Sequence, residues 1–209
     1  MPQNKTYRIG KEKVWALWKI EELEEELSFY ASQSCPEEII HPEKRLEWLA
    51  SRALLRRLVE GFGLPYLGLG KDEYGKPFLK DLPHYVSIAH SFPFVAAQID
   101  STVSVGIDLE QPKKKLRLIA NRVFHKSEVL DANNDLTKLC IYWCAKESLY
   151  KIHGFGNLQF KEQLRVSPFE LTNCGILDCT IIEGDKKRSV KLKYTVMDEI
   201  VVVATHSGK

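Results

Sequence analysis

No stretch of this sequence is both apolar and long enough to span a bilayer. The longest apolar run is about Ile200 to Ala204, far short of the roughly 20 residues a spanning helix needs. The opening segment, MPQNKTYRIGKEK, has no apolar core of the secretory kind. A cytoplasmic protein without a membrane partner is therefore the expectation. Cysteine is scarce and unpatterned: Cys35, Cys140, Cys144, Cys174 and Cys179 are odd in number and form no CxxC pair. Cys140 and Cys144 lie four apart in a helical pattern, without a second Cys/His pair at zinc-site spacing, so they read as buried free thiols. There is no G-x-S-x-G nucleophile elbow, no low-complexity linker and no repeat at the level of sequence. Charge is nearly balanced at +2, which by itself neither demands nor excludes a polyanion, and no nucleic-acid partner is expected.

What remains is an ordinary globular composition: 209 residues, 44% hydrophobic and 28% charged, enough for one large domain or two small ones. VWALWKI (14–20) reads as a strand and EELEEELSFYA as a helix with Leu23 and Leu27 at helical spacing. PEKRLEWLASRALLRRLVEGFG (42–63) is a clear helix, with proline near its start and glycines after its end. A loop, GKDEYGKPFLKDLP, leads to the strand pair HYVSIAHS and FVAAQID, joined through Phe92-Pro93. The second half opens with VSVGIDLE, passes through basic helical segments (116–132) and reaches a strong helix at 135–152. It closes with GILDCTIIEG, SVKLKYTV and EIVVVATH as β-segments. Each half thus combines helices with a late hairpin, and DSTV near 100–103 is the best boundary, giving domains 1–101 and 102–209.

Four constellations could carry chemistry. In VGIDLE (105–110) an extended strand places Val103, Val105, Ile107 and Leu109 on one face and Ser104, Gly106, Asp108 and Glu110 on the other. The two carboxylates would lie about 7 Å apart, close enough to repel unless protonated or bridged by a cation. Oxygen-only ligands suit Mg²⁺, and Gly106 would let something bulky approach the backbone. A solvated edge-strand face is the plain alternative. On helix 135–152, a step of about 100° per residue puts Leu136, Leu139, Cys140, Trp143 and Tyr150 on one stripe, with Glu147 in its middle and Lys151 at its edge. An inward glutamate is costly unless paired or metal-bound. Arg45, Arg52 and Arg56 form a stripe that Lys44 and His41 extend, either a solvated face or a phosphate site. YGKP (74–77) and SIAHS (87–91) add a bare turn, a cation, hydroxyls and an imidazole.

Taken in order, YGKP, SIAHS, VGIDLE and WCAKESLYK resemble the segments of the Sfp-type 4′-phosphopantetheinyl transferases, across most of residues 41–151. Leu109, Ala89 and Cys144 depart from the usual residues, and none removes an ionisable group. The resemblance implies an α+β fold of two similar halves about a pseudo-two-fold axis, with coenzyme A in the cleft between them. It implies Mg²⁺-dependent transfer of phosphopantetheine from coenzyme A to a serine of an apo acyl or peptidyl carrier protein, releasing 3′,5′-ADP. By resemblance, Asp108, Glu110 and Glu147 hold Mg²⁺, Glu147 is the candidate base, and Lys151 steadies the pyrophosphate. Arg52 meets the 3′-phosphate with Arg45 and Lys44 beside it; Gly75, Lys76 and Pro77 border the adenine; His90 and Ser91 reach phosphates; Lys146 is a helper. Lys113, Lys114, Lys115 and Arg117 are a candidate carrier-docking patch, and a monomer is expected. The rivals are a Mg²⁺ nuclease, which the helical Glu147–Lys151 spacing disfavours, and a binding module without catalysis.

Overall fold

The computed structural model describes residues 5–8, as backbone, and 12–206. Residues 1–4, 9–11 and 207–209 lie outside the described residues; they include part of the segment read for a leader and the outer ends of the two expected domains. The chain divides after Val105 into two units, each with its own apolar core.

The first unit begins with β1 (Lys5–Arg8) and β2 (Lys13–Lys19), followed by α1 (Glu24–Ala31) and α2 (Pro42–Glu60). Then come β3 (Leu69–Lys71), β4 (Pro77–Leu79), β5 (Tyr85–Ser91) and β6 (Phe94–Asp100). All pairings are antiparallel, in the order β1-β2-β6-β5-β4-β3. Pro42 occupies the first turn of α2, where its missing N–H costs nothing. The apolar side of α2, through Leu49, Ala50, Ala53, Leu54 and Leu58, packs into a core with Val14, Trp18, Val95 and Ile99.

The second unit runs β7 (Ile107–Glu110), α3 (Lys115–Val123), α4 (Lys126–Ala132), α5 (Leu136–His153), α6 (Phe160–Gln163), β8 (Leu164–Val166), β9 (Cys174–Glu183), β10 (Lys186–Met197) and β11 (Ile200–Thr205). Its antiparallel sheet is ordered β7-β11-β10-β9-β8. The plan of the first unit returns here without repeated sequence. One strand is followed by helices, and then by four strands in series whose last pairs with it (β2 with β6, β7 with β11).

Sequence periodicity misjudged two features. The VSVGIDLE strand is shorter than its apolar alternation suggests: Val105 is buried, but Val103 is exposed and only Ile107–Glu110 pair in the sheet. Helix α5 has no single apolar stripe. It packs against β7, β11 and β8 of the sheet and against α3 and α4, and Leu139, Cys140, Ile141, Tyr142, Ala145 and Leu149 are buried around its circumference. Leu136, Trp143, Glu147 and Tyr150, expected to face the core, form its half-open side instead. A helix covered on nearly all sides carries little directional pattern, so its one semi-polar face was assigned inward.

Among the described residues, two carboxylate–ammonium pairs are almost wholly buried. Lys13 meets Asp100 at 2.9 Å across the β2–β6 ladder, and Lys146 meets Glu128 at 2.9 Å beneath α5. Asp100 also accepts from Thr102 N at 2.7 Å and Val103 N at 3.1 Å, so it fastens the start of the segment leading to the unit boundary. Removing one partner of such a pair costs about 3–5 kcal/mol, because the other charge is stranded.

Gly106 is the tightest point of the second unit. A Cβ there would strike the Ser148 carbonyl of α5 and crowd the Ile152 side chain. Its N–H donates to Thr205 Oγ1 at 2.8 Å, while Ser148 Oγ donates to Val203 O at 3.0 Å. Helix and sheet therefore meet backbone to backbone. Gly106→Ala should lower stability by about 2–4 kcal/mol and shift α5 outward; an unchanged chemical-denaturation midpoint would contradict this packing.

Candidate functional site

The close approach at Gly106 sets α5 against the residues that follow it on β7. Asp108 is 8% exposed, and its Oδ1 accepts from Lys151 Nζ at 2.7 Å. The same ammonium donates to Ile107 O at 2.9 Å, leaving one of its three donors for another acceptor. Burial raises the Asp108 pKa; Lys151 and the Cys144 thiol oppose that rise, and the charge of Glu110 adds to it. Glu147, one turn before Lys151, is pushed up to about 7 by burial first and the Asp108 charge second, with Lys151 pulling the other way. Among the described residues no cation forms an ion pair with Glu147. The result is a carboxyl group poised near neutrality beside a paired aspartate.

Glu110 stands at the edge of this group and is held from the other side. Its oxygens lie 3.6 Å from Lys113 Nζ and 3.1 Å from Lys115 Nζ. Two of the three lysines expected to form a free docking run are thus paired, and Arg117 Nε donates to Asn134 O at 3.0 Å. Lys146, named as a helper beside Glu147, points the opposite way. Its ammonium is fully buried on Glu128 and also donates to Phe160 O at 2.7 Å and to Leu164 O. Adjacent residues on a helix diverge by about 100°, so the Lys-Glu dipeptide serves two different surroundings. Glu128 was missed in the sequence because its partner is distant and its own neighbourhood reads as an ordinary amphipathic helix.

In the first unit the arginine stripe resolves unevenly. Arg45 is consumed by Glu24, at 2.6 Å, and by the carbonyls of Pro36 and Ile39, which tie α1 and the following loop to α2. Arg56 pairs with Glu60 at 2.8 Å, the i+4 acid that the stripe reading overlooked, and also reaches Ser32 Oγ. Arg52 differs: among the described residues no carboxylate pairs with it. Its guanidinium lies over the Trp48 ring, 3.6 Å from the centroid, and donates to Trp48 O at 3.0 Å and Ser51 Oγ at 3.2 Å. Burial lowers its pKa. Stacking on an aromatic face offsets about 0.5–2 kcal/mol of that cost, and an anion would offset more.

Glu47 was not singled out from sequence, yet it organises this end of the unit. It is 2% exposed; one oxygen accepts from Lys44 Nζ at 2.6 Å and lies 3.1 Å from His90 Nδ1, the other from Phe92 N at 2.9 Å. Burial would raise its pKa, but the His90 and Lys44 bonds prevail and lower it to about 2. Lys44 is thereby spent on Glu47, and His90 is oriented with its ring half-exposed. Ser91 ends β5 next to it. In the 72–76 turn, Asp72 Oδ1 accepts from Tyr74 N and Lys76 N, and Gly75 takes φ +81 with open space where a side chain would go. Lys76 Nζ donates to Ser104 Oγ at 2.8 Å, and Pro77 starts β4.

Asp108, Glu110 and Glu147 have the donor chemistry of a Mg²⁺ site, three hard oxygens with two of the acids destabilised as anions. They are neighbours rather than a closed cage: among the described residues no three His, Cys, Asp or Glu side chains converge as metal ligands. Nor is any described helix long and apolar enough to cross a membrane.

The segment that builds the β7–α5 group has recognisable kin. Residues 104–204, nearly all within the second unit, match the family described as the 4′-phosphopantetheinyl transferase superfamily. Among curated proteins, the 4′-phosphopantetheinyl transferase Ffp of Bacillus subtilis is 31% identical over 150 residues, 64% of this chain and 66% of that protein. The 4′-phosphopantetheinyl transferase Sfp of Bacillus subtilis strain 168 is 38% identical over 91 residues, 41% of this chain and 40% of its own length. A further 4′-phosphopantetheinyl transferase of Bacillus subtilis is 33% identical over 125 residues, 56% and 55% of the two chains. The chain thus spans between two-fifths and two-thirds of the relatives it matches.

The Glu147 environment has a measurable signature. A carboxyl whose pKa is higher folded than unfolded binds protons preferentially in the folded state. Its destabilising effect is therefore absent below about 4.5, grows through about 7 and is constant above. Glu147→Gln should raise stability by about 2 kcal/mol at pH 8 in EDTA, and by little at pH 4.5. A gain independent of pH would show that the glutamate is not held in this state.

Proposed function

We propose that this protein transfers the 4′-phosphopantetheine group of coenzyme A to a serine hydroxyl of an apo acyl or peptidyl carrier protein. The observation that carries the reading is Glu147, a half-open carboxyl with a pKa near 7 beside the Asp108–Lys151 pair, within the segment that matches the family. A group poised near the working pH is suited to accept the serine proton as its oxygen forms the new phosphoester bond. The pyrophosphate bond breaks and 3′,5′-ADP carries away the electron pair. The remaining donor of Lys151 is available for the leaving oxygens, so its charge serves Asp108 and substrate together. Mg²⁺ suits the carboxylates of Asp108, Glu110 and Glu147, where it would neutralise phosphate charge.

In the first unit, Arg52 supplies an uncompensated cation for a phosphate monoester. His90, steadied by Glu47, with Ser91 and the Gly75-Lys76-Pro77 turn, provides further polar contacts for the nucleotide. Arg45 and Lys146, each saturated by protein partners, are left to structure. For the carrier, Lys114 at the start of α3 and Leu118 and Arg122 on it, with Leu118 87% exposed, present a mixed basic and apolar surface suited to an acidic partner.

Intact-mass spectrometry of apo carrier proteins incubated with this protein, coenzyme A and Mg²⁺ should show the addition of one phosphopantetheine, lost with EDTA. Glu147→Ala should slow transfer by about 10²–10⁴-fold with an unchanged circular-dichroism spectrum; wild-type turnover would remove Glu147 from the chemistry. Charge reversal at Lys114 and Arg122 should raise KM for the carrier several-fold and leave coenzyme A affinity alone. An unaltered carrier KM would move the docking surface elsewhere.

A further inference from the structure

The bonds that Glu47 makes fix more than the orientation of His90. One Glu47 oxygen accepts from Phe92 N at 2.9 Å; the other accepts from Lys44 Nζ at 2.6 Å and lies 3.1 Å from His90 Nδ1. An ammonium and a backbone N–H only donate, and together they hold the buried carboxyl in its ionised form. An ionised carboxylate only accepts, so the hydrogen between Glu47 and His90 sits on Nδ1. That determines the second ring nitrogen. In a neutral imidazole one nitrogen donates and the other accepts, so Nε2 carries a bare lone pair. The ring is half-exposed, and no group among the described residues bonds to Nε2.

The charges that meet this ring come from α2: Glu47 directly, and Lys44 through the oxygen the two share. In line with it across the sheet stand Val95 on β6 and Trp18 on β2, neither of them titratable. Beyond these, Glu22 accepts from Trp18 Nε1 at 3.1 Å, and Lys19 Nζ lies 6.0 Å from the centre of the Phe94 ring. With His90 neutral, the set of Glu47, Lys44 and His90 has no net charge, and its open nitrogen repels an anionic oxygen. A second proton on the ring turns that nitrogen into a charged donor and gives the set a net charge of about +1.

We infer that Glu47 locks His90 with its hydrogen on Nδ1, so that a phosphate oxygen binds at Nε2 only as the ring takes up a second proton. Binding of the coenzyme is thereby coupled to uptake of a proton from solvent at His90. This rests on the coenzyme A reading above, which brings a phosphate to His90, and adds to it the residue that sets the charge state of the ring. Glu47 is a positioning residue: it acts on the ligand only through the imidazole. Lys44 belongs to the same device, because its bond helps to keep the carboxyl ionised and accepting.

The test is calorimetry of coenzyme A binding to wild type, Glu47→Gln and His90→Gln at about pH 6.5 and about pH 8.5. Buffers of different ionisation enthalpy give the number of protons taken up. In Glu47→Gln the amide oxygen still accepts from Phe92 N, while its NH₂ donates to Nδ1. The neutral ring then carries its hydrogen on Nε2 and meets the phosphate without a second proton. An ordinary imidazole changes charge near about pH 6.5, so between the two pH values wild-type affinity should fall about tenfold further than that of Glu47→Gln. Wild type should also take up more protons at the higher pH than either variant. The coenzyme's own phosphates and Glu147 titrate in all three proteins and cancel in the comparison. Equal pH slopes and proton counts in wild type and either variant would overturn the inference and leave the coenzyme A reading intact. So would a uniform loss of affinity in Glu47→Gln, the mark of a purely structural role. Wild-type protein that binds no coenzyme A at either pH would overturn the coenzyme A reading itself.

Discussion

The arrangement of the second unit depends on how closely α5 lies on its sheet. Gly106 has no side chain to hold the helix off, and Ser148 answers with a hydrogen bond to β11. Only at that separation can Lys151 reach both Asp108 and the Ile107 carbonyl, two residues further along the same strand. The electrostatics follow from the packing. A helix pressed against the strand removes water from Asp108 and part of it from Glu147, and this desolvation, more than any single charge, raises both pKa values. Gly106 thus acts on the carboxylates without touching them.

A second regularity is how charges are allocated. Most ionisable groups that sequence patterning flagged as available have protein partners. Arg45, Arg56, Lys44, Lys113, Lys115 and Lys146 each meet a carboxylate. Against that background, Arg52 in the first unit and Glu147 in the second stand out as partly buried charges without an ion-pair partner among the described residues. Since such a group costs stability unless something compensates it, an unmatched cation and an unmatched acid are more informative than any count of charged residues.

Much of the architecture was legible in the chain because it rests on local patterns, and the segments that hold the candidate site residues were legible as motifs. Proline and glycine bracket α2, alternation marks β5, β6 and the late strands, and the motif-bearing segments match a family whose fold they imply. What was illegible depends on distant pairing or on burial around a full circumference. The strands β3, β4 and β8 are three residues each, too short for periodicity to register. Lys13 and Asp100, Lys146 and Glu128, and Glu47 and His90 are brought together by the fold over separations that no helical or strand spacing encodes. The orientation of Glu147 was misjudged for the same reason: α5 is covered by sheet and helices together, and its sequence carries little directional bias. Its half-open face nonetheless holds the acid that matters, since partial burial, rather than complete burial, raises a pKa while leaving a proton exchangeable.

The two units show what a shared topology leaves free. In each, the strand before the helices (β2 or β7) pairs with the last strand of a four-strand series, and a long helix packs nearby. In one unit that strand, β2, contributes Lys13, sealed against Asp100 in its own sheet at 4% and 2% side-chain exposure. The first strand of the other contributes Asp108, paired instead with a helix residue whose side chain is 28% exposed. An ion pair closed within a sheet can only hold the fold. A pair whose ammonium stays partly open retains a donor for an arriving anion, and a neighbouring acid near neutrality can take up a proton. The same scaffold therefore gives one unit a surplus cation at Arg52 and the other a surplus of carboxylate.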